Sequence, residues 1–162
     1  MRRGTVHRFI RHIGFLIAVV ALSAGLPAGC ATDTYQQRTD TLKAHVKNFY
    51  DDLAADRVGS AVTENERIEA IAAEAGADVR RRGRPVADNR MDRDWMLVKT
   101  ARETAAENWL ALGRYFLIKK QYDQARGAYR RILADDFRDP AYRVYVEQAE
   151  RALRDVDVIN PR

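Results

Sequence analysis

The sequence predicts an all-α protein of about five helices arranged as antiparallel hairpins. Beyond residue 29, Pro and Gly are sparse, and Ala, Arg, Glu and Leu, which are good helix formers, dominate. Apolar residues recur every three or four positions, as in amphipathic helices, rather than at every second position, as in strands. We therefore expect one helical domain over residues 39–156.

The first 29 residues have the features of a secretory signal peptide. Four arginines and no acidic residue stand in the first twelve positions, a nearly unbroken apolar run covers residues 13–26, and small residues follow. The run is shorter than the ~20 residues of a membrane-spanning helix. Removing residues 1–29 takes four of the 28 basic residues and none of the 23 acidic ones, which leaves a net charge of +1. The high overall charge therefore gives no argument for nucleic-acid binding.

Cys30 is the only cysteine, and the residues before it, 26–29, read Leu-Pro-Ala-Gly. This order resembles the lipobox of bacterial lipoproteins, although Pro27 stands where an aliphatic residue is usual. The resemblance implies a diacylglycerol on the Cys30 thiol, cleavage before Cys30, and an N-acyl lipid on the new amino group. Ala31, in place of Asp, implies release to the outer membrane. The alternatives are an inner-membrane lipoprotein, or cleavage after Ala31 to give a soluble periplasmic protein.

The first two helices follow a lipidated tether, which is expected over residues 30–38. The first helix should end near Arg57, and its apolar residues repeat at helical spacing: Leu42, Val46, Phe49 and Leu53. Thr63-x-x-Glu66 is a capping box, which predicts the start of the second helix. Gly76 either ends that helix or weakens it, and a polar loop is expected from Arg80 to about Met91.

Three further helices are expected. The third should have Asp92 or Asp94 as its cap and run to Lys120, because its apolar stripe meets no breaker. The fourth should cover Tyr122–Ala134. Asp139 and Pro140 predict the start of the fifth, whose apolar residues are Tyr142, Val146, Ala149 and Leu153. The chain after Arg154 is expected to be loose, with residues 157–162 as a tail.

The third and fourth helices carry an ordered set of large, small and aromatic residues: Trp109, Leu112, Gly113, Phe116, Ala125 and Tyr129. A glycine inside a helix costs ~1 kcal/mol relative to Ala, so Gly113 predicts a close helix crossing. The set resembles one tetratricopeptide repeat, a helix–turn–helix unit that binds proteins, at about residues 107–140. Ile132 departs from the small residue of the pattern, and the closing Pro140 comes three residues late.

Two candidate binding sites follow. In the repeat family one face of the first helix lines a groove, and the resemblance places that face here at Glu107, Leu110, Arg114, Leu117 and Ile118. Either a partner's helix lies on this face, or the chain's own N-terminal helices cover it. The second candidate is the basic cluster Arg80, Arg81, Arg82 and Arg84. It either contacts anionic lipid or an acidic partner, or complements the dipole of a helix C-terminus.

Catalytic chemistry has little support in the sequence. His45 is the only histidine after the signal segment, and no His/Cys/Asp set has metal-ligand spacing. We therefore expect no enzyme, no metal, and no cofactor other than the lipid on Cys30. The expected function is that of a periplasm-facing outer-membrane lipoprotein that serves envelope proteins as an adaptor or scaffold. The alternatives are a self-associating structural lipoprotein, or a carrier of a small apolar or peptidic ligand; the oligomeric state stays open.

Overall fold

A computed structural model describes residues 34–82, 89–134 and 137–161 of the chain. This part of the chain is all-α with five helices, which confirms the predicted fold class. A short 3₁₀ turn, Pro140–Tyr142, precedes the last helix, and the Asp139 side chain caps it by accepting from the Ala141 N–H. The helices are α1 Thr34–Ala54, α2 Val58–Arg82, α3 Asn89–Ile118, α4 Tyr122–Ile132 and α5 Arg143–Ile159.

The longest helix, α3, organises the packing. Each helix packs against the next in the chain, and α3 also contacts α1 and α5. Helix α3 therefore contacts all four of the other helices. At 1.5 Å per residue, the 30 residues of α3 extend about 45 Å, which is long enough for two separate clusters of buried residues to form along it.

The two clusters divide the core between the two halves of α3. The cluster at the N-terminal half includes Leu42, Ile68, Ala72, Leu97, Val98, Ala101, Phe137 and Tyr142. The cluster at the C-terminal half includes Phe49, Ala61, Trp109, Leu110, Leu112, Phe116, Ala125, Tyr129, Ile132 and Val156. Five of the six residues of the repeat-like set share this second cluster, and the sixth, Gly113, is buried against the Tyr129 ring.

The α1–α2 and α3–α4 hairpins have the same turn. Asp56 has φ of 61° and Lys120 has φ of 59°, which is the left-handed conformation. In each turn the next amide bonds back across five residues, from Arg57 to the Asp52 carbonyl and from Gln121 to the Phe116 carbonyl, both at 2.8 Å. These are Schellman caps. The first four helices thus form two equivalent hairpins, 64 positions apart.

Several predicted boundaries differ from the structure. Helix α2 begins at Val58 rather than at the Thr63 capping box, and the Thr63 hydroxyl donates to the Gly59 carbonyl inside the helix instead of capping it. Gly76 does not end α2, which continues through Arg82 and so extends into the expected loop. Helix α3 begins at Asn89, before either predicted cap.

Both ends of the helical domain are also longer than predicted. Helix α1 begins at Thr34, inside the segment 30–38 that was expected to be a tether. Helix α5 continues to Ile159, although the chain after Arg154 was expected to be loose. The reason is Arg126 of α4, which is 1% exposed and donates to the Asp157 carboxylate at 2.8 Å and to the Asn160 carbonyl. Val156, fully buried, also holds the last turns of α5 in place.

Candidate functional site

The five residues of the candidate groove lie in different environments along α3. Leu110 is 4% exposed and belongs to the core, and Leu117 is half-buried against it. Glu107 is exposed but accepts a hydrogen bond from the Tyr145 hydroxyl of α5 at 3.1 Å. Arg114 is exposed, and Ile118 is 80% exposed. The chain itself therefore fills the groove position at Leu110, and the open part of the face lies towards the end of α3.

Helix α5 places a tyrosine, Tyr145, beside Glu107 of the candidate groove face. Burial, together with the neighbouring Glu107 carboxylate, raises the pKa of the Tyr145 phenol to about 12. The phenol therefore stays neutral over the physiological pH range and donates a hydrogen bond to the Glu107 carboxylate. This bond ties α5 to α3 beside the face that the repeat resemblance marks as a groove.

Contacts between helices define two opposite ends of the bundle. At the first, which we call the proximal end, Arg38 of α1 pairs with Asp78 of α2 at 2.7 Å, and Arg93 of α3 lies over the Tyr35 ring of α1. At the other, the distal end, the Tyr115 hydroxyl of α3 donates to Asp56 in the α1–α2 turn. The Arg126 contacts place the C-terminus of α5 at the distal end as well.

The distal end exposes large apolar side chains. Ile118 and Val158 are each 80% exposed, and Ile159 is 59% exposed. Lys119 and Lys120 follow Ile118 in the turn and are also exposed. Three large, exposed apolar side chains thus lie at one end of the domain, and large exposed apolar area is typical of interaction sites. Sequence spacing alone does not single these residues out, because they lie at the ends of two helices that are forty residues apart.

The basic cluster lies at the proximal end. Arg80, Arg81 and Arg82 form the last turn of α2, while Arg84 lies outside the described residues. Arg82 pairs with Asp94 of α3 at 2.6 Å. Arg81 and Arg38 both bond Asp78, and these two bonds lower the pKa of the Asp78 carboxyl. Part of the cluster thus links helix ends, as the helix-terminus interpretation expects.

Two sets of polar contacts join the helices away from either end, one partly exposed and one buried. The Trp109 indole N–H donates to Glu69 of α2 at 2.7 Å, and Arg131 of α4 pairs with the same carboxylate and lies over the indole ring. Asn65 and Asn108, both fully buried, bond each other across α2 and α3 at 2.9 Å. These contacts fix how the two hairpins face one another. The sequence gives no signal for the Asn65–Asn108 pair.

His45 forms a contact between two helices of the domain. Its Nδ1 lies 2.6 Å from the Glu64 carboxylate, which also accepts from Arg67. The contact joins α1 to α2 and is half-buried. Within residues 34–82, 89–134 and 137–161, no group of three His, Cys, Asp or Glu side chains is placed to hold a metal ion.

Two of the expected features lie outside the described residues: the signal segment 1–29 and Cys30. Among the helices that are described, none is both long enough and apolar enough to span a bilayer. No family model, curated protein or solved structure matches the chain. Functional inference therefore rests on the residues and the geometry of this chain alone.

Proposed function

We propose that the protein is a lipid-anchored adaptor on the periplasmic face of the outer membrane, and that it binds an envelope protein with the distal end of its helical domain. The observation that carries the proposal is the 80% exposure of Ile118 and Val158 at that end. The lipobox-like residues before Cys30 support the anchor, and the repeat-like α3–α4 hairpin supports protein binding as the class of function.

The distal end is favoured over the central groove for a physical reason. A partner helix cannot occupy the position of Leu110, because the chain's own core already surrounds that side chain. Arg114 and Ile118 belong to the same helical face one and two turns further on, and both are accessible. The partner is therefore expected to present an apolar surface with an acidic residue near Lys120, since Lys119 already pairs with Asp56 at 3.2 Å.

Co-purification from gently solubilised membranes tests the proposal. Ile118→Asp should lose a stoichiometric protein that the wild type retains, because a charge replaces an apolar contact. Val144→Asp is the matched control: Val144 is also an exposed aliphatic residue, at 53%, but it lies at the start of α5, away from the distal end. Recovery of the wild type without any second protein contradicts the adaptor function.

The anchor has its own test. Wild-type protein should carry the added mass of acyl chains that Cys30→Ser lacks, as measured on the intact protein. More than one chain is needed for firm membrane attachment, and the lipoprotein modification supplies both a diacylglycerol and an N-acyl group. Equal masses for the two proteins, after correction for the substitution, contradict lipidation.

One observation favours a carrier as the second candidate function. A cleft of about 470 Å³ lies between α4 and α5, and its apolar lining includes Ile132, Leu133, Phe137 and Val146. This volume suits a small apolar ligand. A carrier would be purified with bound ligand mass in native mass spectrometry, and Val146→Trp should remove that mass by filling the cleft.

A further inference from the structure

The proximal end exposes two large apolar side chains in the first turns of α3. Trp95 is 50% exposed and Met96 is 57% exposed. Trp95 lines a shallow depression together with Lys99, the acidic residues Asp92 and Asp139, and Tyr142 of the 3₁₀ turn. An indole combines an apolar ring with a hydrogen-bond donor, and it is therefore enriched where hydrocarbon meets water at a membrane surface.

Arginine side chains outnumber carboxylates on the adjoining helix ends. Arg38 and Arg81 share one carboxylate, that of Asp78, and Arg82 pairs with Asp94. Arg80 forms no ion pair within the described part of the chain, and Arg81 keeps 75% of its side chain exposed. Asp92 and Asp139 are balanced by Arg93 and Lys99. The charged residues named here therefore keep an excess of two basic side chains, which attracts anionic phospholipid headgroups.

The short stretch of sequence between Cys30 and α1 limits how far this end can lie from the proposed anchor. Thr34, the first residue of α1, is four residues after Cys30. Four residues span at most about 14 Å when fully extended. Tyr35, in the first turn of α1, lies under Arg93, whose centre is 5.4 Å from the ring. Trp95 is two residues further along α3. A lipid on Cys30 would thus hold this end of the bundle within reach of the bilayer surface.

We propose that Trp95, Met96, Arg80 and Arg81 form a surface that contacts an anionic phospholipid bilayer, with the Trp95 ring at the boundary between headgroups and acyl chains. The contact rests on the proposed lipid anchor and deepens it, because it fixes the orientation of the domain. The distal end then points away from the membrane, towards soluble or membrane-bound partners.

Tryptophan fluorescence tests this contact, since the two tryptophans of the chain differ sharply in exposure. Trp109 is only 5% exposed, so the difference between wild type and Trp95→Phe isolates the emission of Trp95. Lipidated protein is reconstituted in phosphatidylglycerol vesicles that contain brominated acyl chains. We expect the Trp95 emission to shift to the blue, to be quenched by the bromolipid, and to be protected from aqueous acrylamide relative to detergent-solubilised protein.

Matched variants separate the contact from the anchor. Arg80→Glu should reduce the bromolipid quenching in phosphatidylglycerol vesicles but not the acyl mass, because Arg80 takes part in no described ion pair. Ile118→Asp, at the distal end, should leave the quenching unchanged. If the wild type carries no acyl mass, the anchor fails, and the same readout is applied to unlipidated protein added to these vesicles at low ionic strength.

Three outcomes overturn the inference. The first is Trp95 emission that bromolipid does not quench in protein that carries acyl mass. The second is unchanged emission of unlipidated protein at low ionic strength where no acyl mass is found. The third is protection of Trp95 in native membranes but not in lipid-only vesicles, which would identify a protein as the occupant of this surface.

Discussion

At the scale of single residues, a close contact between α3 and α4 explains why a glycine stands inside a helix, where it lowers helix stability. A Cβ atom added to Gly113 would lie 2.2 to 2.7 Å from three ring atoms of Tyr129. Tyr129 is 1% exposed, so its ring has no space to move aside. The sequence predicts a close crossing at Gly113, and the structure identifies Tyr129 of α4 as the group that approaches it.

Gly113→Ala should therefore destabilise the protein by about 1–3 kcal/mol, as overpacking does in other cores, despite the better helix propensity of Ala. Gly127→Ala is the matched control, since it also lies inside a helix but has nothing within 4 Å of an added Cβ. That variant should gain up to ~1 kcal/mol. Urea unfolding followed by circular dichroism measures both; a gain in both variants would mean that the Gly113 contact does not constrain the fold.

A second residue-scale prediction concerns the turn at Lys120. Its φ of 59° costs a non-glycine residue roughly 1 kcal/mol. Lys120→Gly should raise the free energy of unfolding by about that amount, since glycine adopts this conformation without strain. Asp56→Gly relieves the same strain but removes the carboxylate that Tyr115 and Lys119 contact, so its gain should be smaller. Equal gains would show that those contacts contribute nothing.

At the scale of helices, the α1–α2 and α3–α4 hairpins have turns of the same geometry, although their sequences do not show that the two hairpins correspond. Ala61 and Ala125 are both fully buried at matching positions of α2 and α4. In the first hairpin, Phe49 of α1 stands at the position of Gly113, and Asn65 of α2 stands at the position of Tyr129. The larger side chain is therefore on the first helix of the α1–α2 hairpin but on the second helix of the α3–α4 hairpin. This exchange, together with the long helices, explains why no upstream copy is visible at the usual repeat spacing.

Helix α5 depends on its final turns, and this yields a prediction about truncation. Deleting residues 155–162 removes the Asp157 and Asn160 partners of the buried Arg126, together with Val156. Loss of a buried charge's partner typically costs about 3–5 kcal/mol. Arg126 keeps Asp123 as a partner at 3.1 Å, and the Asp157 side chain is 61% exposed, so the expected loss lies near the lower figure. Deleting only residues 161–162 should leave the melting temperature unchanged. If the longer deletion is equally harmless, α5 is not held by Arg126.

The same contacts show how far sequence reasoning reaches. Helical spacing predicts the five helices and the interior of each, because the apolar stripes are long. Helix ends are set by contacts from other helices, such as Arg126 on α5 and Tyr35 with Arg93 at the start of α1, and spacing contains no record of these. For the candidate site, the sequence identifies the face of α3 but not that Leu110 belongs to the core while Ile118 is open.

At the scale of the whole molecule, three buried or half-buried tyrosines are expected to make the free energy of unfolding depend on pH in the alkaline range. Burial raises the pKa of Tyr129, Tyr142 and Tyr145, the last to about 12 from an ordinary value of 10.0. The folded state thus holds these protons more tightly than the unfolded state. Their contribution is complete below about pH 10 and is lost as the pH rises towards 12.

Tyr145→Phe removes one of these groups, so its free energy of unfolding should fall less steeply than that of the wild type between about pH 10 and 12. Chemical denaturation at several pH values in this range gives both slopes. Because Phe also loses the hydrogen bond to Glu107, the variant is expected to be less stable at neutral pH. Parallel slopes would show that the Tyr145 phenol titrates alike in the folded and unfolded states.

The two ends of the bundle give the molecule its proposed direction, with lipid at the proximal end and a protein partner at the distal end. Site-specific photo-crosslinking in living cells tests this arrangement most directly, with a photo-reactive amino acid in place of Ile118, Val144 or Trp95. The account predicts one discrete protein adduct from position 118, none from position 144, and lipid adducts from position 95. A protein adduct from position 95 with none from position 118 would contradict it.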